Sequence, residues 1–184
     1  MSAELRVLGI AGSLRKESFN RGLLVAAQEL CPAGMEIEIF DLLPLPFYNK
    51  DVHDLGFPEP VQEFREKISS ADAMLIATPE YLHSISGVLQ NAFDWASRSP
   101  DSPLSNKPLA IMGATTGDWG TARAQSHLRQ IAIRVNMLTL NKPEVLIANV
   151  REKFIDGHLV DEDTRAMIVE LLEKFAGWTL RFKL

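Results

Sequence analysis

The feature that most constrains this chain is the alternation of short apolar runs with stretches of helical period along its whole length. Residues 5–10 form an apolar-rich run closed by Gly12 and Ser13, the pattern of a strand buried on both faces. Residues 19–31 place Leu23, Ala27 and Leu30 at helical spacing, and Pro32-Ala33-Gly34 stops them. Residues 35–40 alternate Ile37 and Ile39 with Glu36 and Glu38, as an outer strand does. Residues 41–58 carry three prolines without a period and read as a long loop. A helix over 59–70 follows, with Val61, Phe64 and Ile68 on one face, and then an apolar strand over 73–77. The pattern predicts a helix over 86–98 with Leu89, Ala92, Phe93 and Ala96 inward, a turn-rich loop over 99–108 and a strand over 109–112. A helix over 121–136 comes next. A last strand starts at 138–140, breaks at Pro143 and resumes over 145–150. The final helix spans 162–182, with Asp161 as N-cap and Glu162 and Asp163 at the positive end of its dipole. Its predicted inward stripe is Met167, Leu171, Phe175, Trp178 and Phe182.

Five strand–helix units imply an α/β protein with a parallel sheet covered on both faces. The 184 residues suit one domain over 1–184, and neither repeats nor a shift in composition divide them. The net charge of −5 offers no basic surface for nucleic acid. A single cysteine, Cys31, excludes an intrachain disulfide and lies at the end of the first helix, away from the loops discussed below. No apolar stretch approaches the roughly 20 residues of a membrane span, and the N-terminal apolar run is too short for a signal sequence. A cytoplasmic protein is expected.

In an open parallel sheet, ligands bind beyond the carboxyl ends of the strands where the strand order reverses. Loops 11–20, 78–86 and 113–120 occupy that edge, and all are rich in small polar residues, Gly or Pro. The first offers Ser13, Ser18 and Asn20, a helix N-terminus and the guanidinium fork of Arg15, a set suited to a phosphate. The plainer reading is an N-cap by Ser18 with Arg15 solvated. It is neither a GxxxxGK[ST] loop nor a GxGxxG turn. In the second loop Tyr81 reads as a cleft aromatic or as a rim residue packed on its own helix. Glu80 reads as a solvated charge, His83 as an exposed loop residue, and Ser84 or Ser86 as a cap for the next helix. The glycines of the third loop allow close approach of a flat ligand, and Trp119 stacks on a ring or packs in a subunit contact. No cluster of spacing suited to a metal occurs, and no triad or paired carboxylates mark a protein-borne catalyst.

The segments GSLRKESFNR, PEYLHSISGVLQNAFDWASR and RAQSHLRQI, with Asn141-Lys142-Pro143-Glu144 before the last strand, resemble the NADPH-dependent FMN reductase family over essentially the whole chain. The resemblance implies a flavodoxin-like three-layer sandwich with a five-stranded parallel sheet in the order 2-1-3-4-5. It implies FMN as cofactor and NADPH or NADH as donor, with no catalytic side chain because the hydride chemistry belongs to the flavin. Ser13, Arg15, Ser18 and Asn20, with Phe19 among them, are then expected at the FMN phosphate. Pro79, Glu80, Tyr81 and Leu82 are expected to line the isoalloxazine, and Thr115, Thr116 and Gly117 to close its other side. The acceptor is expected to be a quinone, a flavin, chromate or an azo compound. The family also implies a homodimer or homotetramer, for which the apolar residues 44–48 and the helical face 123–133 are candidate contacts. Two positions depart from the family pattern: Leu82 stands where Asn is usual, and Trp119-Gly120-Thr121 stands where paired glycines are common. A flavodoxin-like electron carrier and a flavin-less binding module are the alternatives, the second motivated by Leu82.

Overall fold

The computed structural model describes residues 5–99 and 101–183. Its central sheet runs β2 (Met35–Phe40), β1 (Leu5–Ala11), β3 (Ala73–Ala77), β4 (Pro108–Ala114), β5 (Leu138–Thr139), with every pairing parallel. This is the expected flavodoxin-like order. The last position is filled by two segments. β5 pairs with the start of β4, whereas β6 (Val145–Ile147) pairs with its end, Gly113 opposite Leu146. Pro143 lies between them, and a residue without an N–H cannot continue the ladder.

Alternation along each strand sends side chains to both faces. Leu8, Ile10, Met74, Ile76, Leu109 and Ile111 enter one core with α3 (Glu59–Ser70), α4 (Gly87–Ala96) and α5 (Ala122–Arg134). Val7, Leu75, Ala77, Ala110 and Met112 enter the other with α1 (Phe19–Glu29) and α6 (Glu162–Leu180). The predicted faces of α3 and α4 are buried as read, and Trp95 joins them, fully enclosed. Among the described residues, no helix is long and apolar enough to cross a membrane.

Three readings need correction. The inward stripe of α6 sits one residue further round than predicted. Ile168, Leu171, Leu172, Phe175 and Thr179 are buried, while Met167 is 36% and Phe182 40% exposed. Both sets keep helical spacing; Leu171 and Phe175 are common to them, and Phe182 lies past the last residue of α6. The stretch 41–58 is not all loop, because Asn49 caps a short helix α2 (Lys50–His53), its side chain accepting from the Asp51 N–H at 2.9 Å. The last strand, expected over 145–150, ends at Ile147; a 3₁₀ turn (Val150–Lys153) and an antiparallel hairpin, β7 (Phe154–Ile155) and β8 (His158–Leu159), lie between β6 and α6. Its Asp156-Gly157 turn is a legible hairpin signal in the sequence.

Register decides where the loops emerge. Ala11 of β1 lies beside Ala77 of β3, and Ala77 beside Met112 of β4. The ends of β1 and β3 are therefore level, β4 runs two residues further, and residues 12, 78 and 115 leave the sheet along one edge.

Candidate active site

Each pair of the three loops is tied together. The first and second meet at Gly12, whose N–H donates to the Ala77 carbonyl at 2.9 Å. A β-carbon at Gly12 would stand 2.9 Å from Pro79 Cδ and 3.3 Å from Ser86 Oγ, so the contact needs glycine. The second and third meet at Gly113, where a β-carbon would lie 2.5 Å from the Thr78 carbonyl and would overlap the Thr121 hydroxyl. The first and third are joined by Asn20. Its amide donates to the Ala114 carbonyl at 3.0 Å and its carbonyl accepts from the Ala114 N–H at 2.9 Å.

That last contact assigns Asn20 a role that sequence reasoning missed. The residue is 4% exposed, and both ends of its carboxamide are engaged by the backbone end of β4. Its reach toward the end of the first loop is therefore spent on holding α1 to the sheet. Phe19, also expected at the cofactor, turns its ring to Phe154, with centroids 5.2 Å apart, in the core beneath α1 and α6. Only its backbone belongs to the loop end.

The remaining residues of the first loop stay at its surface. Ser18 is buried and caps α1, accepting from the Arg21 N–H at 3.4 Å. Ser13 accepts from the Arg15 N–H at 3.4 Å. Arg15 is exposed and its guanidinium makes no ion pair among the described residues. Ser18 is thus a cap, as in the plainer reading, and the Arg15 guanidinium is exposed to solvent.

Glu80 is not a solvated charge. Its side chain is 8% exposed and reaches the start of α5. Oε2 accepts from the N–H groups of Arg123 at 3.0 Å and Ala124 at 3.1 Å, and Oε1 meets Arg123 Nη1 at 3.4 Å. The helix needs this help: Thr121 sits at its N-cap position in a left-handed conformation, φ 68°, and makes no side-chain cap. A carboxylate also complements the positive end of the helix dipole. Arg123 in turn lies over Trp119, its Cζ 4.7 Å from the ring centroid. A single carboxylate thus locks the second loop to the third and to an exposed indole.

The tip of the second loop is a tight turn. Tyr81 and Ser84 exchange backbone hydrogen bonds of 3.0 and 2.9 Å around Leu82 and His83, whose φ values are 49° and 61°. Paired positive φ angles define the type I′ turn, in which Asn is favoured at the first central position. The departure at Leu82 therefore leaves the backbone shape intact, with the leucine side chain fully exposed. Tyr81 is exposed and Pro79 is buried. Ser86 is the cap of α4, accepting from the Leu89 N–H at 3.2 Å. Ser84 instead lies 3.0 Å from His127 Nδ1 of α5, a further tie between second loop and helix.

The third loop is anchored at its root and open at its tip. Thr115 donates its N–H to Ile147 and accepts from Val150, while its hydroxyl accepts from the Gly117 N–H at 3.3 Å. Thr116, Gly117 and Trp119 are exposed. Among the described residues, no group of three or more His, Cys, Asp or Glu is placed to hold a metal.

The profile of the family described as NADPH-dependent FMN reductase matches residues 5–152. The chain belongs to the NADPH-dependent FMN reductase family. It is 50% identical over 184 residues to an NAD(P)H-dependent FMN reductase of Pseudomonas aeruginosa, covering 100% of both chains. It is 40% identical over 176 residues to a 2-hydroxy-1,4-benzoquinone reductase of a Burkholderia species, covering 95% of this chain and 96% of that one. Among solved structures it superposes on the flavoenzyme NAD(P)H:(acceptor) oxidoreductase FerB of Paracoccus denitrificans with a TM-score of 0.90 at 32% identity, covering 98% and 100% of the two chains. The family match takes in all three loops but stops before α6, which completes the second core.

Proposed function

We propose that this chain is a single-domain, FMN-dependent NAD(P)H oxidoreductase whose acceptor is a quinone. The observation that carries the reading is the first loop: a helix N-terminus, two serine hydroxyls and an unpaired guanidinium gathered where β1 meets the strand-order reversal. The donor set fits the phosphate of FMN. Among the described residues, the backbone N–H groups of Leu14, Lys16 and Glu17 donate to no protein acceptor, and Arg15 adds a planar fork. Ser13, Arg15, Ser18 and the backbone at Phe19 and Asn20 would hold that phosphate. Pro79, Tyr81, Leu82 and the backbone of Glu80 would border the ring on one side, and Thr115, Thr116 and Gly117 on the other.

Bound FMN would supply the two-electron chemistry that links a nicotinamide donor to the acceptor. The protein residues orient and enclose. Arg15 and the loop N–H groups offset the phosphate charge. Glu80 keeps the second and third loops in fixed relation, which matters because misplacing reacting partners by about 1 Å costs on the order of a hundredfold in rate. The exposed rings of Tyr81 and Trp119 offer flat apolar surface to an aromatic acceptor. Free flavin, chromate and azo compounds are alternative acceptors for such a site. A homodimer or homotetramer is part of the proposal, supported by the exposed Phe47 and Ile133, as is a cytoplasmic location.

The test is twofold. FMN at 100 times its Kd should add about 2.7 kcal/mol of stability, read as a rise in Tm. The loaded protein should then oxidise NADPH or NADH with a benzoquinone present. A colourless protein whose Tm ignores FMN would overturn the reading. A flavin-loaded protein that neither nucleotide reduces would be an electron carrier.

A further inference from the structure

Beside the first loop, on the side of α1 away from the other two loops, runs an open groove of about 760 Å³. That volume falls within the roughly 300–1,000 Å³ of small-molecule sites. It begins at Arg15, Lys16 and Ser18, follows α1 past Gly22 and Val25, and ends against the hairpin at Phe154 and Gly157. Neither the 78–86 loop nor the 113–120 loop contributes to its lining.

The groove is basic on an acidic chain. Arg15, Lys16, Arg21 and Arg151 line it, against Glu17 and Asp156, giving a local balance of +2 where the whole chain carries −5. Arg21 is shared with Asp41 at 3.5 Å. Arg15, Lys16 and Arg151 are exposed and make no ion pair among the described residues. Three like charges around one depression repel one another, and an anion relieves that repulsion.

Continuity with the phosphate loop identifies the anion. Arg15 and Ser18 belong both to the proposed FMN phosphate site and to the mouth of the groove. A ligand that continues beyond that phosphate enters here. The flavin that does so is FAD, in which the FMN phosphate is joined to a second phosphate carrying adenosine. We propose that this groove receives the adenylate half of FAD, so that the chain binds FAD as well as FMN. Lys16 and Arg151 meet the second phosphate, and the adenosine lies toward Phe154 and Gly157. The inference rests on the FMN reading above.

Dissociation constants for FMN and FAD, measured by quenching of flavin fluorescence, test it on the intact protein. Phe154 is a poor probe because its ring fills the space above Gly22 and packs on Phe19. Arg151→Ala and Arg151→Glu are surface changes outside the proposed FMN contacts. The expected result is that the native chain binds both flavins, and that Arg151→Glu loses tenfold or more in FAD affinity while FMN affinity stays within about twofold. Binding of FMN without FAD overturns the proposal, as does an equal loss for both flavins. A rise in the KM for NADPH, with FAD affinity unchanged, also overturns it and assigns the groove to the donor's adenylate. Binding of neither flavin refutes the FMN reading itself.

Discussion

Leu82 holds a backbone conformation that disfavours its side chain. An L-residue in the left-handed region is raised by roughly 1–2 kcal/mol, and Asn is much less so. Leu82 is fully exposed, so removing it uncovers nothing. Leu82→Asn should therefore stabilise the protein by about 0.5–1 kcal/mol in urea denaturation. Glu80 presents the reverse case. Glu80→Ala strips the acceptor from the N–H groups of Arg123 and Ala124 and should destabilise by about 1–2 kcal/mol. Glu80→Gln keeps a carbonyl acceptor and should lose less than half of that. FMN affinity measured on the same variants should fall in the same order, because the carboxylate sets the distance between the loops proposed to border the ring. Neither role was legible in the sequence. Glu80 and Arg123 are 43 positions apart, and nothing local marks a carboxylate as the cap of a distant helix.

The elements show the same division between local and distant causes. The Asp161 cap was read from sequence, because capping is settled within a few residues. The Lys153 ammonium beside it, the Thr164 hydroxyl and the Thr164 N–H hold its carboxyl down at about 2, against an ordinary 3.8. A depressed carboxyl contributes stability that is fully present above about pH 4 and is lost as pH falls through 2. Both partners are about a quarter exposed, so solvent screening keeps the contribution below about 1 kcal/mol. In acid titrations followed by circular dichroism, Asp161→Asn should be less stable than the native chain at pH 5 and equal to it below pH 2. Other helix ends are closed across the fold. Arg65 of α3 donates to the carbonyls of Trp95 and Ala96 at the end of α4, while its guanidinium stacks 4.2 Å from the Phe57 ring. Lys107 donates to the Ala71 carbonyl at the end of α3, and burial there pushes its ammonium below the usual lysine range. Cations suit the negative ends of these helices, but their partners lie 30 or more residues away.

At the scale of the molecule, the sequence by itself determined the α/β class, the faces of α3 and α4, and the three loops that bear the polar residues. These follow from periodicity and from turn chemistry, which act over a few neighbours. The strand order came from family resemblance and is the order observed. Tertiary structure alone decided which loop residues face outward and which are consumed in holding the loops together. Asn20 and Glu80 look like ligand groups in the sequence, yet both spend their polar atoms on backbone amides from other elements. It also decided the basic groove, whose charges come from residues 15–21 and from Arg151 and meet only when the hairpin folds back on α1. The physical reason is common to all three. A polar side chain's role is fixed by which donor, acceptor or charge lies within about 3 Å, and for these residues the neighbours come from segments that only the folded sheet brings together.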